Sequence, residues 1–94
     1  MARQIWKYPI PMAKDFTIQM PMGSVPLHVT NQHGIPTLWA SVNPKASSET
    51  RRFQLYGTGQ DLDPLFLEYV GTVLLAQGFE VYHLFEVNGP VADE

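Results

Sequence analysis

Phe79-Glu80-Val81-Tyr82-His83-Leu84-Phe85-Glu86-Val87 alternates along its whole length. Phe79, Val81, His83, Phe85 and Val87 share one side, and Glu80, Tyr82, Leu84 and Glu86 share the other. A repeat of two is the mark of a β-strand, whose successive side chains point to opposite faces. No other stretch is as strongly patterned, so this strand is expected to be central in a sheet. His83 falls on the more apolar side, where a buried histidine must find hydrogen-bond partners.

The pattern continues outward. Ala76-Gln77-Gly78 reads as a tight turn, and Tyr69 to Leu75 before it as a strand rich in β-branched and aromatic residues. Between Asp61 and Tyr69, Leu62 and Phe66 hint at helical spacing, so a short helical turn is expected at Pro64–Leu67. Arg51 to Tyr56 alternates with Phe53 and Leu55 inward, and Arg52, Gln54 and Tyr56 outward. It runs into Gly57-Thr58-Gly59, a turn that glycines permit. Earlier strands are expected at Ile5–Pro9, Phe16–Met20, Val25–Thr30 and Ile35–Val42. Phe16, Ile18 and Met20, then Val25, Leu27 and Val29, then Leu38, Ala40 and Val42 form their inward sets. Asn31-Gln32-His33-Gly34 reads as a hairpin loop, and Asn43–Glu49 as a polar loop without period. The fold expected is all-β: six or seven short strands in a compact antiparallel sandwich or partly open barrel, as one domain over residues 1–94. The ordered core is expected at about 5–87, with an acidic tail over 88–94.

Composition narrows the chemistry. The 94 residues contain no cysteine, which removes disulfides and thiolate chemistry. The absence of a signal-like segment fits a reducing cytoplasm. No apolar run approaches the roughly 18 residues that span a bilayer, so no membrane association is expected. A formal charge of −3 has the wrong sign for nucleic-acid binding.

Ile5-Trp6-Lys7-Tyr8, Met20-Pro21-Met22-Gly23, Leu38-Trp39-Ala40, Tyr56-Gly57-Thr58-Gly59, Val70-Gly71-Thr72 and Val81-Tyr82-His83-Leu84-Phe85-Glu86 occur in that order. In order and spacing they resemble a family of small proteins of unknown function from tailed bacteriophages and prophages. The resemblance runs from Ile5 to Glu86. It differs at Gln60, where members carry histidine, which weighs against imidazole chemistry at that loop. It implies no activity, only a setting: a phage product in the cytoplasm of a host bacterium.

The candidate site is the end of the Arg51 strand. Two glycines around Thr58 can turn successive N–H groups toward one anion, and Arg52 suits a phosphate. The plainer reading is a bulge or turn that needs positive φ. Arg52, Tyr56, Gly57, Thr58 and Gly59 therefore form the expected ligand contacts, with Trp6, Tyr8 or Trp39 stacking on a base. The same aromatics serve equally as sheet packing. Trp39 lies among small polar neighbours, so it sits either under another element or, the slightly preferred reading, at an interface between copies of the chain. Asp61 and Asp63 suit a helix cap or turn better than a metal site. His28, His33 and His83 have no spacing that brings them together, and no serine sits in an elbow motif. No metal and no cofactor is expected.

The reading that follows is a non-enzymatic, phage-encoded binding protein that neutralises a host factor. It either sequesters a small phosphorylated nucleotide signal or inhibits a host defence protein, such as a CRISPR–Cas subunit, through an aromatic and acidic surface. A homo-oligomer is expected in either case. The alternatives are a metal-dependent nucleotide phosphodiesterase and a virion or assembly component.

Overall fold

The computed structural model describes residues 2–90. Seven strands follow one another: β1 (Gln4–Pro9), β2 (Asp15–Pro21), β3 (Val25–Gln32), β4 (Ile35–Val42), β5 (Ser48–Gly57), β6 (Leu65–Leu75) and β7 (Glu80–Pro90). They form two antiparallel sheets, of order β1-β4-β3 and β2-β5-β7-β6. The sandwich expected from the alternation is therefore the fold, with no closed barrel. β7 lies between β5 and β6, the interior place its pattern demanded.

The inner faces meet in one core. Met20, Val29, Leu38, Ala40, Val42, Phe53, Leu55, Val73 and Leu84 are buried there. Each fully buried Leu or Phe contributes about 1.5–3 kcal/mol, so these positions carry most of the drive to fold. Phe16 of β2 stacks on Phe53 of β5, with ring centres 5.9 Å apart. Hairpin chemistry sets the register between β3 and β4. His33 and Gly34 both take positive φ, and Asn31 Oδ1 accepts the Gly34 N–H at 2.7 Å.

Several expectations are corrected. No helical turn forms at Pro64–Leu67; β6 begins at Leu65, and Asp61 and Asp63 cap nothing. A β-branched and aromatic run beside β7 gains a long ladder of hydrogen bonds, broken only at two register shifts, which outweighs weak helical spacing. β7 is also turned over. Its Tyr82, Leu84 and Glu86 side faces the core, while Val81, His83 and Phe85 face outward. Alternation defines two faces, and the partner strand decides which is inside: Leu84 lies opposite Leu55, and Glu86 opposite Phe53. His83 is thus not a core histidine. In β3, Val25 and Leu27 are half exposed, because the register slips between Pro26 and His28 and only Pro26 and Val29 point inward. β7 runs on through Asn88 to Pro90, opposite Leu65 of β6, so the tail does not begin at Asn88. The rest of it, residues 91–94, lies outside the described residues.

The two sheets approach most closely where β3 passes β6. Val29 packs on Gly71, and Asn31 Nδ2 donates to the Leu74 carbonyl of β6 at 3.2 Å. Beneath this seam lies a buried ion pair. Arg51 Nη2 donates to Glu86 Oε1 at 2.8 Å, and its Nε donates to Oε2. Arg51 Nη1 also donates to Glu49 and to the Ser24 carbonyl.

Candidate functional site

Arg52, Gln54 and Tyr56 leave β5 on the outer face of the four-stranded sheet, as their parity predicts. They do not stay open to water. The segment from Thr58 to Pro64 folds back over them and buries Gln54 and Tyr56. Asp63 N–H donates to the Tyr56 hydroxyl at 3.0 Å, and that hydroxyl donates to Gln54 Oε1. Gln54 Nε2 donates to Asp15 at 2.9 Å and to Asp63 at 3.0 Å. Each buried polar atom in this set has a partner, which is the condition for burying it without penalty.

The same carboxylates engage the cations. Arg52 makes a two-pronged pair with Asp15, Nε to Oδ1 at 2.9 Å and Nη2 to Oδ2 at 2.6 Å. Hydrogen bonding from Arg52 holds the Asp15 carboxyl down at about 2. Lys14 Nζ pairs with Asp63 at 3.0 Å and lies 5.5 Å from the Tyr56 ring centre. That pairing lowers the Asp63 pKa and raises that of Lys14.

The Gly57–Gln60 turn closes on itself. Gln60 Oε1 accepts the Gly57 N–H at 2.6 Å, and Gln60 N–H donates to the Gly57 carbonyl at 3.2 Å. Gly59 takes φ +92°, so the glycine is needed for the turn. Shallow concavities flank it, one of about 460 Å³ beside Thr58, Phe79, Glu80 and Tyr82, the other of about 280 Å³ beside Met12, Lys14 and Gln60. Lys14 and Arg52 are each matched by a carboxylate here, Asp63 and Asp15. The expected anion contacts do not converge: Arg52 and Gly57 stand five residues apart on an extended strand, about 16 Å, and the chain's own Asp15 and Gln60 occupy Arg52 and the Gly57 amide.

Thr58 turns to a different partner. Its Oγ1 lies 2.8 Å from His83 Nε2, and His83 Nδ1 lies 2.9 Å from Thr72 Oγ1, which is 2.6 Å from the Tyr69 hydroxyl. Hydroxyls donate or accept as required, so this chain satisfies His83 in either tautomer and fixes its ring on the outer face. Around it lie Phe85, edge-on to Tyr56 and tilted against Tyr69, then Val81 and Leu74. Tyr69 is 58% exposed, Leu74 54%, and Phe79, in the turn just before β7, 89%. Reading the sequence missed this surface. The signal was the apolar side of Phe79–Val87, which was assigned to the core.

The remaining expected contacts lie elsewhere. Trp6 and Tyr8 point to the inner side of the three-stranded sheet, opposite Ala40 and Leu38. Trp6 Nε1 donates to Gln4 at 2.9 Å. The Tyr8 hydroxyl is buried without a partner among the described residues, and burial raises its pKa. Trp39 faces outward from that sheet, half buried, with Lys7 Nζ 5.9 Å from its ring centre. No face joins Trp39 to Arg52, so the geometry does not assemble a base-stacking and phosphate-binding pair from these residues. Among the described residues no three His, Asp or Glu side chains come together as a metal site. No helix is long and apolar enough to cross a membrane among those residues.

No curated protein and no solved structure matches the chain. One family model, Domain of unknown function (DUF7352), matches residues 1–93, and the chain belongs to that family.

Proposed function

We propose that the protein is a non-enzymatic binding protein that neutralises a host protein through the outer face of β6 and β7. The carrying observation is the exposure of Tyr69 and Leu74 on that side and of Phe79 in the turn just before β7, with Glu80 beside it. Exposed aromatics with a polar rim are the usual anchors of protein interfaces, and large apolar side chains in water are otherwise disfavoured. The resemblance to tailed-phage proteins supplies the setting, the cytoplasm of a bacterial host, and a defence component such as a CRISPR–Cas subunit fits it. Sequestration of a phosphorylated nucleotide is the weaker reading, because Asp15 holds Arg52 and Gln60 holds the Gly57 amide.

The experiment has two arms. Calorimetry against linear and cyclic nucleotides is expected to give no heat. Capture from host lysate is expected to yield a specific protein with the natural chain and with Ile35→Ser on the other sheet, but not with Phe79→Ser or Leu74→Ser. Nucleotide binding that Arg52→Ala abolishes would overturn the reading. So would capture that ignores both β6–β7 substitutions.

A further inference from the structure

We infer that the open end of the β3–β6 seam is a receptor groove for an arginine side chain presented by the partner protein. This rests on the protein-binding reading, because Tyr69 belongs both to the exposed face and to the groove. The seam is shut at one end by Val29 on Gly71 and by Asn31 on the Leu74 carbonyl. Toward the other end it opens into a groove of about 240 Å³. Val25 and Leu27 form one wall, Glu68, Tyr69 and Val70 the other, and Glu86 lies beneath. Both walls are irregular strand: the register slips between Pro26 and His28 on β3, and between Tyr69 and Gly71 on β6. Bulges of this kind re-aim side chains and interrupt pairing at sheet edges.

Size, charge and shape select the occupant. Small-molecule sites run from about 300 to 1,000 Å³, so this groove suits one inserted side chain better than a cofactor. Arg51 already faces two carboxylates, Glu86 and Glu49, and Arg3 is engaged by Ser41 and the Gly23 carbonyl. Glu68 has no lysine or arginine within ion-pair distance among the described residues, and accepts one hydrogen bond, from Asn88 at 3.0 Å. Glu68 is the residue directly across the ladder from Glu86. The groove therefore keeps a negative charge that the chain does not neutralise. Half-exposed Val25 and Leu27 suit an aliphatic stem. A planar guanidinium can pair with a carboxylate such as that of Glu68 through two parallel bonds, which an ammonium cannot.

The test uses the full chain, 15N-labelled, titrated with N-acetyl-arginine amide and with its uncharged analogue N-acetyl-citrulline amide. The arginine probe is expected to shift the amides of Val25, Leu27, Glu68, Tyr69 and Val70 saturably, and the citrulline probe to leave them in place. Glu68→Gln, whose spectrum elsewhere reports an intact fold, is expected to weaken the arginine probe about fivefold, the worth of an exposed ion pair. Absence of saturable shifts, equal shifts with citrulline, or unchanged affinity in Glu68→Gln each overturns the inference. Capture lost in Phe79→Ser beside an unresponsive groove removes only the arginine site. Capture indifferent to Phe79→Ser beside a responsive groove removes the partner face and keeps the site.

Discussion

Gly71 of β6 lies so close to Val29 of β3 that a Cβ placed on it would come within 2.9 Å of Val29 Cγ1. The two sheets approach at this point because one side chain is missing. Gly71→Ala is expected to destabilise the fold by about 1–3 kcal/mol, the usual cost of overpacking. That exceeds the roughly 0.4–1 kcal/mol gained by stiffening the unfolded chain. Val29→Ala opens space at the same spot, so the double variant should be less destabilised than the two single losses together. Urea unfolding of the four proteins checks this; strict additivity would mean that the contact does not set the approach.

The buried pair Arg51–Glu86 holds the seam from beneath. Glu86 is nearly enclosed and Arg51 mostly so. Removing one partner leaves the other charged and buried, which costs about 3–5 kcal/mol. Glu86→Gln is therefore expected to bring the domain near its unfolding threshold at room temperature, since such domains have only about 5–15 kcal/mol in total. Arg51→Met with Glu86→Leu removes both charges together and should recover most of the loss. Thermal unfolding of the single and double variants distinguishes a costly orphan charge from a general loss of packing.

Asp15 gives the fold an acid limit. Its carboxyl is held at about 2 by Arg52, against an ordinary 3.8. A carboxyl depressed on folding stabilises the protein above its unfolded pKa, and that stability drains as pH falls through the folded value. The advantage of the natural chain over Asp15→Asn should thus be full at pH 6, shrink from about pH 4 downward, and vanish near pH 2. Both side chains of the pair are partly in water, so the gap at pH 6 is expected to be under about 1 kcal/mol. Unfolding midpoints across that range measure it; a gap that persists at pH 2 would point to a contact other than the ion pair.

Most of the strands could be read from period two alone, because strand propensity and alternation agree over most of Phe16–Val42, from Arg51 to Tyr56, and from Tyr69 to Val87 apart from the Ala76–Gly78 turn. Orientation could not. Val81, His83 and Phe85 lie on the side of β7 that reads as more apolar, yet that side faces out, because Leu84 lies opposite Leu55. Glu86 looked like a surface residue until Arg51 was placed beside it. In the candidate site, the outward parity shared by Arg52 and Thr58 was legible from the β5 alternation. Their partners were not: Asp15 reaches Arg52 across 37 residues, and His83 reaches Thr58 across 25. Contacts of that span depend on register, and register is a property of strand pairs. Val25 and Leu27 were misplaced for a related reason, since a single bulge inverts the parity of everything on one side of it.

The burial of Tyr56 is the feature of β5 that strand periodicity could least foresee, and it yields the last prediction. Its hydroxyl accepts the Asp63 N–H and donates to Gln54 Oε1, which ties the Thr58–Pro64 segment to the sheet. Tyr56→Phe keeps the ring, and so keeps the edge-on packing on Phe85. It leaves the Asp63 amide and the buried Gln54 carbonyl without that partner. A lost buried hydrogen bond of this kind costs about 1–3 kcal/mol. If the segment lifts to let water reach both groups, the penalty falls below that range and the motion appears instead as faster amide exchange from Thr58 to Asp63. The expected result is the second: a stability loss of about 1 kcal/mol with exchange at Asp63 accelerated more than at Phe53, because the segment is held by polar contacts while Phe53 lies in the core. Equal acceleration at both positions would show that Tyr56 supports the whole sheet and not the segment that covers it.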